Sequence, residues 1–461
     1  MKRRPLSAVQ HARGYTRELL NALLRDGNTV AQYRADAGVT GNLNASAWAP
    51  QTGAAPSLAQ ATGANRPIVL PFSGEKYGWL PGVASNFFST PDSAANSITG
   101  DLCITVKAAL DLWSSGVVQA LVSKYPTTSA FNFYSSAVGG GYLNFDWWES
   151  GGTLRQVNSG ASVLLNAGET AWVAVTLKLD NGAGGHEVKF WKSTDDRATW
   201  TQLGTTKSAG AFTTSLRDSP NKITVGILGD GGTYPTAGKF YRAHIYNGIP
   251  PMLGGSASAD PVVDFNPTLC PESVTHGATF TSSTGEVWTL ENASGSKPAQ
   301  IVGSASLLFD GANHFMNMAQ SLPQPTAIYM VVRAPTHTNG DNIFDSYTAN
   351  LMQFQQTSVA GDVNMYAGSF SATQSQGLPV GAYHAICALF NGASSYYDID
   401  ATQSAALSCG ASTSDGLTLG ANAGGAAKAN IQVKEIIIRR AADDATTRAK
   451  IATYLKGIHG T

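Results

Sequence analysis

The sequence predicts an all-β protein built from two antiparallel β-sandwich domains. The 461-residue chain contains 49 glycines and only 13% charged residues, well below the roughly 25% of an ordinary soluble domain. Short runs rich in Val, Ile, Thr and aromatic residues, such as TAWVAVTLKL and HEVKFWKS, alternate with clusters of Gly, Asn, Asp and Ser. Long helical patterns do not separate these runs, which favours antiparallel sandwiches over a parallel sheet.

Residues 1–27 are predicted to form a short helical anchor segment at the N-terminus. Leu19, Leu20, Leu23 and Leu24 repeat at helical spacing on one face, and a glycine suits the helix end. Nothing beside this segment in the sequence covers the leucine face. Two interpretations stay open, because the face can pack on the first sandwich or dock on another subunit.

The chain divides by pattern into a first sandwich at 28–248, a linker at 249–261 and a second sandwich at 262–461. The linker IPPMLGGSASADP is rich in Pro, Gly, Ser and Ala. Four pieces of the first half match four pieces of the second half in the same order, which predicts a duplicated domain. The pairs are LCITVKAAL with IYMVVRAP, FNFYSSAVGGGYLNFDWW with MQFQQTSVAGDVNMYAG, WVAVTLKLDNG with YHAICALFNG, and KITVGILGDGG…FYRAHIYNG with GLTLGANAGG…VKEIIIRR.

A second helix is predicted at the C-terminus. Asp443 and Asp444 suit its N-terminal end and Lys456 its C-terminal end, because each charge complements the local end of the helix dipole. We expect the helix to pack on the second sandwich through one apolar face at i, i+3, i+4 and i+7, formed by Ile451, Tyr454, Leu455 and Ile458.

The second half resembles a laminin-G-like jelly-roll domain. VWTLENASGSKPAQIVGSASLLFDGANHFM is similar to that family's opening, a Trp-containing strand, a loop and a strand ending in F-D-G. TLGANAGG…VKEIIIRR resembles its closing pair of strands. In the first half, NTVAQYRADAGVTGNLNASAWAPQTGAAPSLAQATGANRPI resembles the lead-in of such domains in phage structural proteins, although FSTPDSAANSI replaces the F-D-G turn. The resemblance implies two concanavalin A-like (laminin-G-like) sandwiches in a bacteriophage virion protein.

Charge, hydropathy and cysteine usage bear on partners and compartment. A net charge of -1 argues against binding nucleic acid through phosphate neutralisation. An apolar run of about 18 residues is absent, so membrane insertion is not expected. A signal peptide is not visible, so we expect synthesis and assembly in the host cytoplasm. Buried free thiols are expected at Cys103, Cys270, Cys387 and Cys409.

Enzymatic activity, a cofactor and a metal site are not predicted. Glycoside hydrolases need two carboxylates on one face, and strand alternation sends Asp146 and Glu149 to opposite faces. STDDRATW, residues 193–200, resembles the Asp-box of sialidases, which is a turn device and is not itself catalytic. We therefore expect a hairpin there.

The run YLNFDWW contains the strongest candidate for a binding surface. Alternation places Leu143, Phe145 and Trp147 in the core. The opposite face combines aromatic, amide and carboxylate groups, a mixture that can stack on sugar rings and bind their hydroxyls. Three interpretations stay open: sugar binding, contact with a neighbouring subunit, or packing within the domain. The residues of this face are Tyr142, Asn144, Asp146 and Trp148.

These observations lead to one functional expectation and two alternatives. We expect a structural virion protein (a capsid, collar or tail accessory) that displays its sandwiches outward, and attachment to host-surface glycans is one role open to them. Its expected partners are other virion proteins, further copies of itself and a cell-surface glycan. The alternatives are a free carbohydrate-binding adhesin and a glycoside hydrolase.

Overall fold

A computed structural model shows two compact units. Unit 1 comprises Met1–Ser73 and Ser304–Thr461, and unit 2 comprises Gly74–Gly303. The predicted all-β fold class with antiparallel sheets is confirmed. The structure describes residues 20, 23–41, 43–72, 74–114, 116–125, 129–136, 140–209, 215–292, 299–371 and 377–460.

The strands follow the chain in three groups. The first group, in unit 1, is β1 (Thr29–Arg34), β2 (Val39–Thr40), β3 (Ala47–Trp48), β4 (Thr52–Gly53), β5 (Leu58–Ala59) and β6 (Ile68–Leu70). Unit 2 contains β7 (Tyr77–Pro81), β8 (Asn86–Thr90), β9 (Leu102–Leu110), β10 (Gln119–Lys124), β11 (Phe131–Ser136), β12 (Tyr142–Trp148), β13 (Leu154–Ser162), β14 (Ala171–Lys178), β15 (His186–Ser193), β16 (Thr201–Ala209), β17 (Ile223–Val225), β18 (Ala237–Asn247), β19 (Val263–Phe265), β20 (Thr279–Thr281), β21 (Val287–Asn292) and β22 (Gln300–Val302).

The third group returns to unit 1 and ends in an α-helix. Its strands are β23 (Ser306–Asp310), β24 (Met316–Leu322), β25 (Thr326–Arg333), β26 (Asn342–Asp345), β27 (Gln353–Gln356), β28 (Val363–Tyr366), β29 (Tyr383–Phe390), β30 (Tyr396–Ile399), β31 (Thr402–Gln403), β32 (Ser414–Leu419) and β33 (Asn430–Arg439), followed by helix α1 (Ala445–His459). Short 3-10 turns lie at Gly63–Asn65, Ala94–Asn96, Pro251–Leu253, Pro267–Leu269 and Gly392–Ser394.

Unit 2 consists of two antiparallel sheets around one apolar core. One sheet has the order β16-β15-β14-β9-β18-β7-β22, with β19 also paired to β18. The other has the order β13-β12-β11-β10-β17-β8-β21-β20. Alternate side chains from both sheets enter the core, among them Phe145 and Trp147 of β12 and Val173 and Val175 of β14.

Unit 1 repeats this arrangement. Its first sheet has the order β31-β30-β29-β25-β33-β1-β4, and β23 lies between β33 and β6. Its second sheet has the order β2-β3-β5-β24-β32-β26-β27-β28. The run β29-β25-β33 corresponds to β14-β9-β18 of unit 2, and β32-β26-β27-β28 corresponds to β17-β10-β11-β12. The four sequence matches fall on these corresponding strands, which confirms the predicted duplication.

The predicted linear division into 28–248 and 262–461 needs correction. Strand β1, from the first predicted domain, pairs with β33 of the second, with Gln32 opposite Ile437. Strands β19 and β21, from the second predicted domain, pair with β18 and β8. Residues 249–261, predicted as a linker, lie inside unit 2. Local patterning identifies strands but does not specify their partners, which is why the linear division failed.

Three of the four N-terminal leucines are described, and they pack inside the chain's own unit. Leu20 and Leu24 are 3% and 2% exposed and belong to a cluster with Tyr329 of β25 and Ile451 of α1. The anchor interpretation is therefore wrong for these two residues, because their side chains are already covered. The sheet that they cover consists mainly of strands from the second repeat. The expectation that they pack on the first sandwich is therefore also wrong. Leu23 packs partly buried against the same cluster, and Leu19 lies outside the described residues.

The predicted C-terminal helix is confirmed as α1. The Asp444 side chain accepts a hydrogen bond from the Thr447 backbone N–H, and Gly460 ends the helix at a φ of 66°. Ile451, Tyr454 and Leu455 are buried, so the helix covers the outer side of the sheet that contains β25 and β29. Within the described part of the chain, the helices are too short or too polar to cross a bilayer.

Candidate functional site

Strand β12 alternates as the sequence predicted. Leu143, Phe145 and Trp147 are fully buried in the core of unit 2. The four other side chains, those of Tyr142, Asn144, Asp146 and Trp148, lie on the outer face of the sheet. The strand pairs with β11 on one side and β13 on the other, so its outer face is bordered by side chains from two neighbouring strands.

Asp146 is the centre of a hydrogen-bonded group on this outer face. The register places Asn132 of β11 and Gln156 of β13 directly opposite it. The Tyr134 hydroxyl donates to Asp146 Oδ1 at 3.2 Å, and the side chains of Gln156 and Asn132 also donate to the carboxylate. We call the six residues Asn132, Tyr134, Asn144, Asp146, Trp148 and Gln156 the Asp146 face.

Burial changes the acid–base properties of this group. Asp146 is only 8% exposed, and this burial raises the pKa of its carboxyl to about 6, although hydrogen bonds from Gln156, Tyr134 and Asn132 act in the opposite direction. Burial also raises the pKa of Tyr134, and the neighbouring Asp146 raises it further. Near neutral pH the face therefore presents a carboxylate that accepts hydrogen bonds beside a phenol that donates one.

Two aromatic pairs border the carboxylate. The rings of Trp148 and Tyr125 lie 5.8 Å apart at 51°, and those of Tyr134 and Tyr234 are stacked at 6.1 Å and 26°. Tyr234 is 38% exposed and has a φ of 56°, in a loop whose backbone bonds to Ala120 of β10. The face thus combines flat apolar rings with a small number of fixed polar groups.

The structure brings only part of the sequence-predicted set together. Asp146 and Trp148 share the centre of the face, whereas the Asn144 amide donates to the Tyr142 carbonyl at 3.0 Å along its own strand. Tyr142 lies four residues from Asp146, roughly 13 Å at the usual rise of a strand. Tyr142 therefore belongs to the end of the strand and not to the group around the carboxylate.

Sequence reasoning missed five contributors to the site. The alternation of AFNFYSS could have identified Asn132 and Tyr134, because a hairpin partner follows the same inward and outward pattern. Gln156 belongs to a polar edge strand with a weak pattern. Tyr125 and Tyr234 lie in loops, where spacing gives no signal for a shared surface.

The acidic residue nearest to Asp146 in sequence does not join it. Glu149 is half-buried and forms an ion pair with Arg155, the residue that lies opposite Trp147 in the strand register. The partners of Asp146 are a phenol and two amides. This environment is suited to recognition of hydroxyl groups.

The Asp-box-like segment forms the predicted hairpin between β15 and β16. The Asp195 carboxylate accepts hydrogen bonds from the Thr199 N–H at 2.9 Å and the Thr199 hydroxyl at 2.6 Å. Asp196 and Arg197 adopt positive φ values of 56° and 73° in the turn. Trp200 packs partly buried against the outer side of the sheet. The segment shapes a turn, as the sequence predicted.

The cysteine prediction is also confirmed. Cys103, Cys270, Cys387 and Cys409 are buried free thiols. Burial raises the pKa of the Cys103 thiol, which keeps it protonated and unreactive. Among the described residues, no group of three or more His, Cys, Asp or Glu side chains is arranged to bind a metal ion.

Comparisons with known proteins give no family and several distant structural likenesses. No protein-family model matches the sequence, and no curated protein matches it. Domains LG4-5 of the mouse laminin alpha1 chain are similar at 15% identity and a TM-score of 0.29, covering 85% of this chain and 92% of that chain. A native heptameric SAP-like pentraxin from Limulus polyphemus is similar at 10% identity and a TM-score of 0.28, covering 39% of this chain and 79% of that chain.

A third similar structure is the CBM40 of the Ruminococcus gnavus IT-sialidase, at 14% identity and a TM-score of 0.25. It covers 39% of this chain and 94% of that chain. Similarity at this level assigns neither a ligand nor an activity to the chain. The function proposed below therefore rests on the residues of unit 2.

Proposed function

We propose that unit 2 binds a neutral carbohydrate at the Asp146 face and performs no chemistry on it. The observation that supports this proposal is a carboxylate, 8% exposed and hydrogen-bonded by Tyr134 and Gln156, between two aromatic pairs on one sheet face. Sugars present apolar C–H faces beside hydroxyl groups. Aromatic rings bind the first feature, and amide and carboxylate groups bind the second.

The charge of the face favours a neutral sugar over an acidic one. The Asp146 carboxylate repels a carboxylate-bearing sugar, and the neighbouring cation Arg155 is already paired with Glu149. A neutral hexose instead supplies hydroxyl donors to the carboxylate lone pairs, and it accepts hydrogen bonds from the Asn and Gln amides.

The absence of catalysis is part of the proposal. A retaining glycosidase places two carboxyl groups about 5 to 5.5 Å apart, one as the acid and one as the nucleophile. Phenol and amide partners surround Asp146, and the nearby Glu149 is held by Arg155. A screen for release of reducing sugar from neutral polysaccharides should detect no turnover, and turnover that Asp146→Asn abolishes would contradict this part of the proposal.

Glycan-array binding by the full chain tests the proposed ligand class. We expect signal on neutral oligosaccharides, such as maltotetraose or lacto-N-tetraose, and little signal on sialyllactose. Trp148→Ala should abolish that signal, because it removes a ring beside the carboxylate. Tyr366→Ala, which removes a half-buried aromatic from the corresponding strand of unit 1, is the matched control and should leave binding unchanged. Binding that survives Trp148→Ala would contradict the proposal.

We further propose that the chain is a phage virion component in which unit 2 contacts glycans on the host surface. Support for this placement comes from the resemblance of residues 28–68 to the lead-in of phage structural proteins. Proteomic analysis of purified particles tests it directly. The chain should remain with the particles through density-gradient purification, and its complete loss would favour a free carbohydrate-binding adhesin.

A further inference from the structure

Each repeat of the chain begins with a segment that completes the other repeat. Lead-in 1 (residues 29–70) precedes core 1 (77–247), and lead-in 2 (263–302) precedes core 2 (306–439). In the folded chain, lead-in 1 pairs with core 2 to form unit 1, and lead-in 2 pairs with core 1 to form unit 2. The two repeats have therefore exchanged their lead-ins.

The two lead-ins occupy corresponding positions. Strand β1 pairs with β33 and β19 pairs with β18, which are the last strands of their cores. Each lead-in also contains a buried tryptophan that fixes its own first strand. The Trp48 indole donates to the Arg34 carbonyl at 2.9 Å, and the Trp288 indole donates to the Asp264 carbonyl at 2.9 Å.

The strands next to the connections between lead-ins and cores are paired in the same way in both units. Strand β6 pairs with β23 so that Leu70 lies opposite Ser306, and β22 pairs with β7 so that Val302 lies opposite Tyr77. The two registers correspond. In a self-contained repeat, the last lead-in strand would turn back onto the first core strand as a hairpin. Here both hairpins are open, and each strand continues into the other unit.

Lead-in 1 is necessary for the core of unit 1. Ala31, Tyr33, Trp48 and Leu58 are fully buried among the side chains of core 2. An unbound lead-in would expose this apolar surface to water, at about 25 cal/mol for each Å². Core 2 must therefore bind a lead-in, although its contacts do not depend on which chain supplies that lead-in.

We propose that a second copy of this chain exchanges lead-in 1 reciprocally, so that residues 29–70 of each copy complete unit 1 of the other. The contacts in the exchanged dimer are those of the monomer, and the two forms differ in the connector between β6 and β7 and in the entropy of association. The dimer should therefore form slowly and in a concentration-dependent way, because β1 must first leave β33.

Paired cysteines distinguish exchange between copies from pairing within one chain. Ala59 of β5 lies opposite Asn317 of β24, and both are accessible at the surface of unit 1. The four native cysteines are buried and do not compete. Chains with Ala59→Cys alone and chains with Asn317→Cys alone are mixed, refolded at high and low protein concentration, and oxidised.

The control pair lies entirely within core 1, where no exchange is proposed. Lys178→Cys and Glu187→Cys occupy opposite positions on β14 and β15. Either pair placed on a single chain should form an intrachain disulfide, which confirms that the variants fold. Mixed single variants of the control pair should stay monomeric on non-reducing gels and by light scattering.

The proposal expects the mixed Ala59→Cys and Asn317→Cys chains to give a disulfide-linked dimer. Its yield should rise with refolding concentration and exceed that of the control mixture at least tenfold. Equal yields in the two mixtures at every concentration would overturn the proposal. Failure of the Ala59→Cys/Asn317→Cys chain to cross-link while folded would also overturn it, because lead-in 1 would then not pair with core 2.

Discussion

Units 1 and 2 share a strand order, but their outer faces place the acidic side chain differently. Asn144 and Asn364 hold the same register position in β12 and β28, opposite Tyr134 and Gln355. Two residues further along, unit 2 has Asp146 whereas unit 1 has Tyr366. In the same sheet of unit 1 a buried carboxylate, Asp345, lies on β26, two strands away from β28.

The surroundings of the two carboxylates also differ. Asp345 is fully buried, and it accepts hydrogen bonds from the Gln353 amide at 3.0 Å and from the Ala423 and Ser346 backbone N–H groups at 2.9 and 2.7 Å. Its acceptor capacity is used inside the protein. Asp146 is 8% exposed on the strand next to the edge strand β13, and its hydrogen-bond partners are side chains, those of Tyr134, Asn132 and Gln156. The duplicated framework therefore carries its acids at different positions, and of the two carboxylates Asp345 is the one held by backbone N–H groups.

The largest expected effect concerns the covalent continuity of the two units. Residues 74–303 form unit 2 from one uninterrupted segment, so this fragment should fold alone and unfold cooperatively. Residues 262–461 lack β1, β5 and β6, and they contain lead-in 2 without its partner core. We expect that fragment to be unfolded or aggregated. Near-ultraviolet circular dichroism should therefore lack the signal of fixed aromatic side chains. Cooperative folding of 262–461 would instead support the linear division.

The next largest effect distinguishes the ion pairs of the two units. Arg439 is 1% exposed in its side chain and bonds Asp443 at 2.7 Å and Asp26 at 2.7 Å, which ties both ends of unit 1 to its sheet. Arg439→Met leaves the buried Asp443 uncompensated and should lower the free energy of unfolding of unit 1 by about 3 to 5 kcal/mol.

The matched change in unit 2 is Arg155→Met, which removes a more exposed pair with Glu149. It should cost at most about 1 kcal/mol. Urea denaturation of the full chain, followed by tryptophan fluorescence, compares the two variants. If both substitutions lowered the free energy of unfolding equally, the Arg439 ion pairs would stabilise the protein no more than the more exposed Arg155 pair does.

A smaller effect is expected in the pH dependence of glycan binding. Because the pKa of Asp146 is raised to about 6, the carboxylate takes up a proton as pH falls through this range and loses an acceptor site. Affinity should drop by about tenfold between pH 7 and pH 5, the value of one hydrogen bond to a charged group. Isothermal titration with a neutral oligosaccharide measures this change, and Asp146→Asn should give a flat profile.

The same pKa determines the sign of a stability effect in unit 2. A carboxyl whose folded pKa exceeds its ordinary value of 3.8 binds its proton more tightly when folded. Unit 2 should therefore lose stability as pH rises from about 4 to about 6. Asp146→Asn should remove that contribution, and an unchanged pH slope in the variant would contradict the assignment.

The smallest expected effect comes from the phenol that bonds Asp146. Tyr134→Phe removes a hydrogen bond that lowers the pKa of Asp146, so the midpoint of the binding profile should move to higher pH. Gln355→Ala, at the corresponding position of unit 1, provides the control. If the midpoint moved equally in both variants, the pH dependence of binding would not come from the Asp146 face, and the assignment would be contradicted.

The sequence predicted local structure well and long-range pairing poorly. Period-two alternation correctly assigned Trp147 to the core and Asp146 to the outer face, and helical spacing located α1. The pairing of Gln32 with the second repeat could not be predicted, because its strand partner lies in β33, about 400 residues away, and local patterning does not specify a distant partner. Tyr234 lies in a loop and itself has a positive φ, a conformation that no periodic sequence pattern specifies.

Hydrogen–deuterium exchange of the full chain with and without a neutral oligosaccharide tests the central claim most directly. Ligand should slow exchange in peptides that span β11 to β13 and in the loop that contains Tyr234, and it should leave β26 to β28 of unit 1 unchanged. Protection of β26 to β28 with no change in β11 to β13 would contradict the assignment of binding to the Asp146 face.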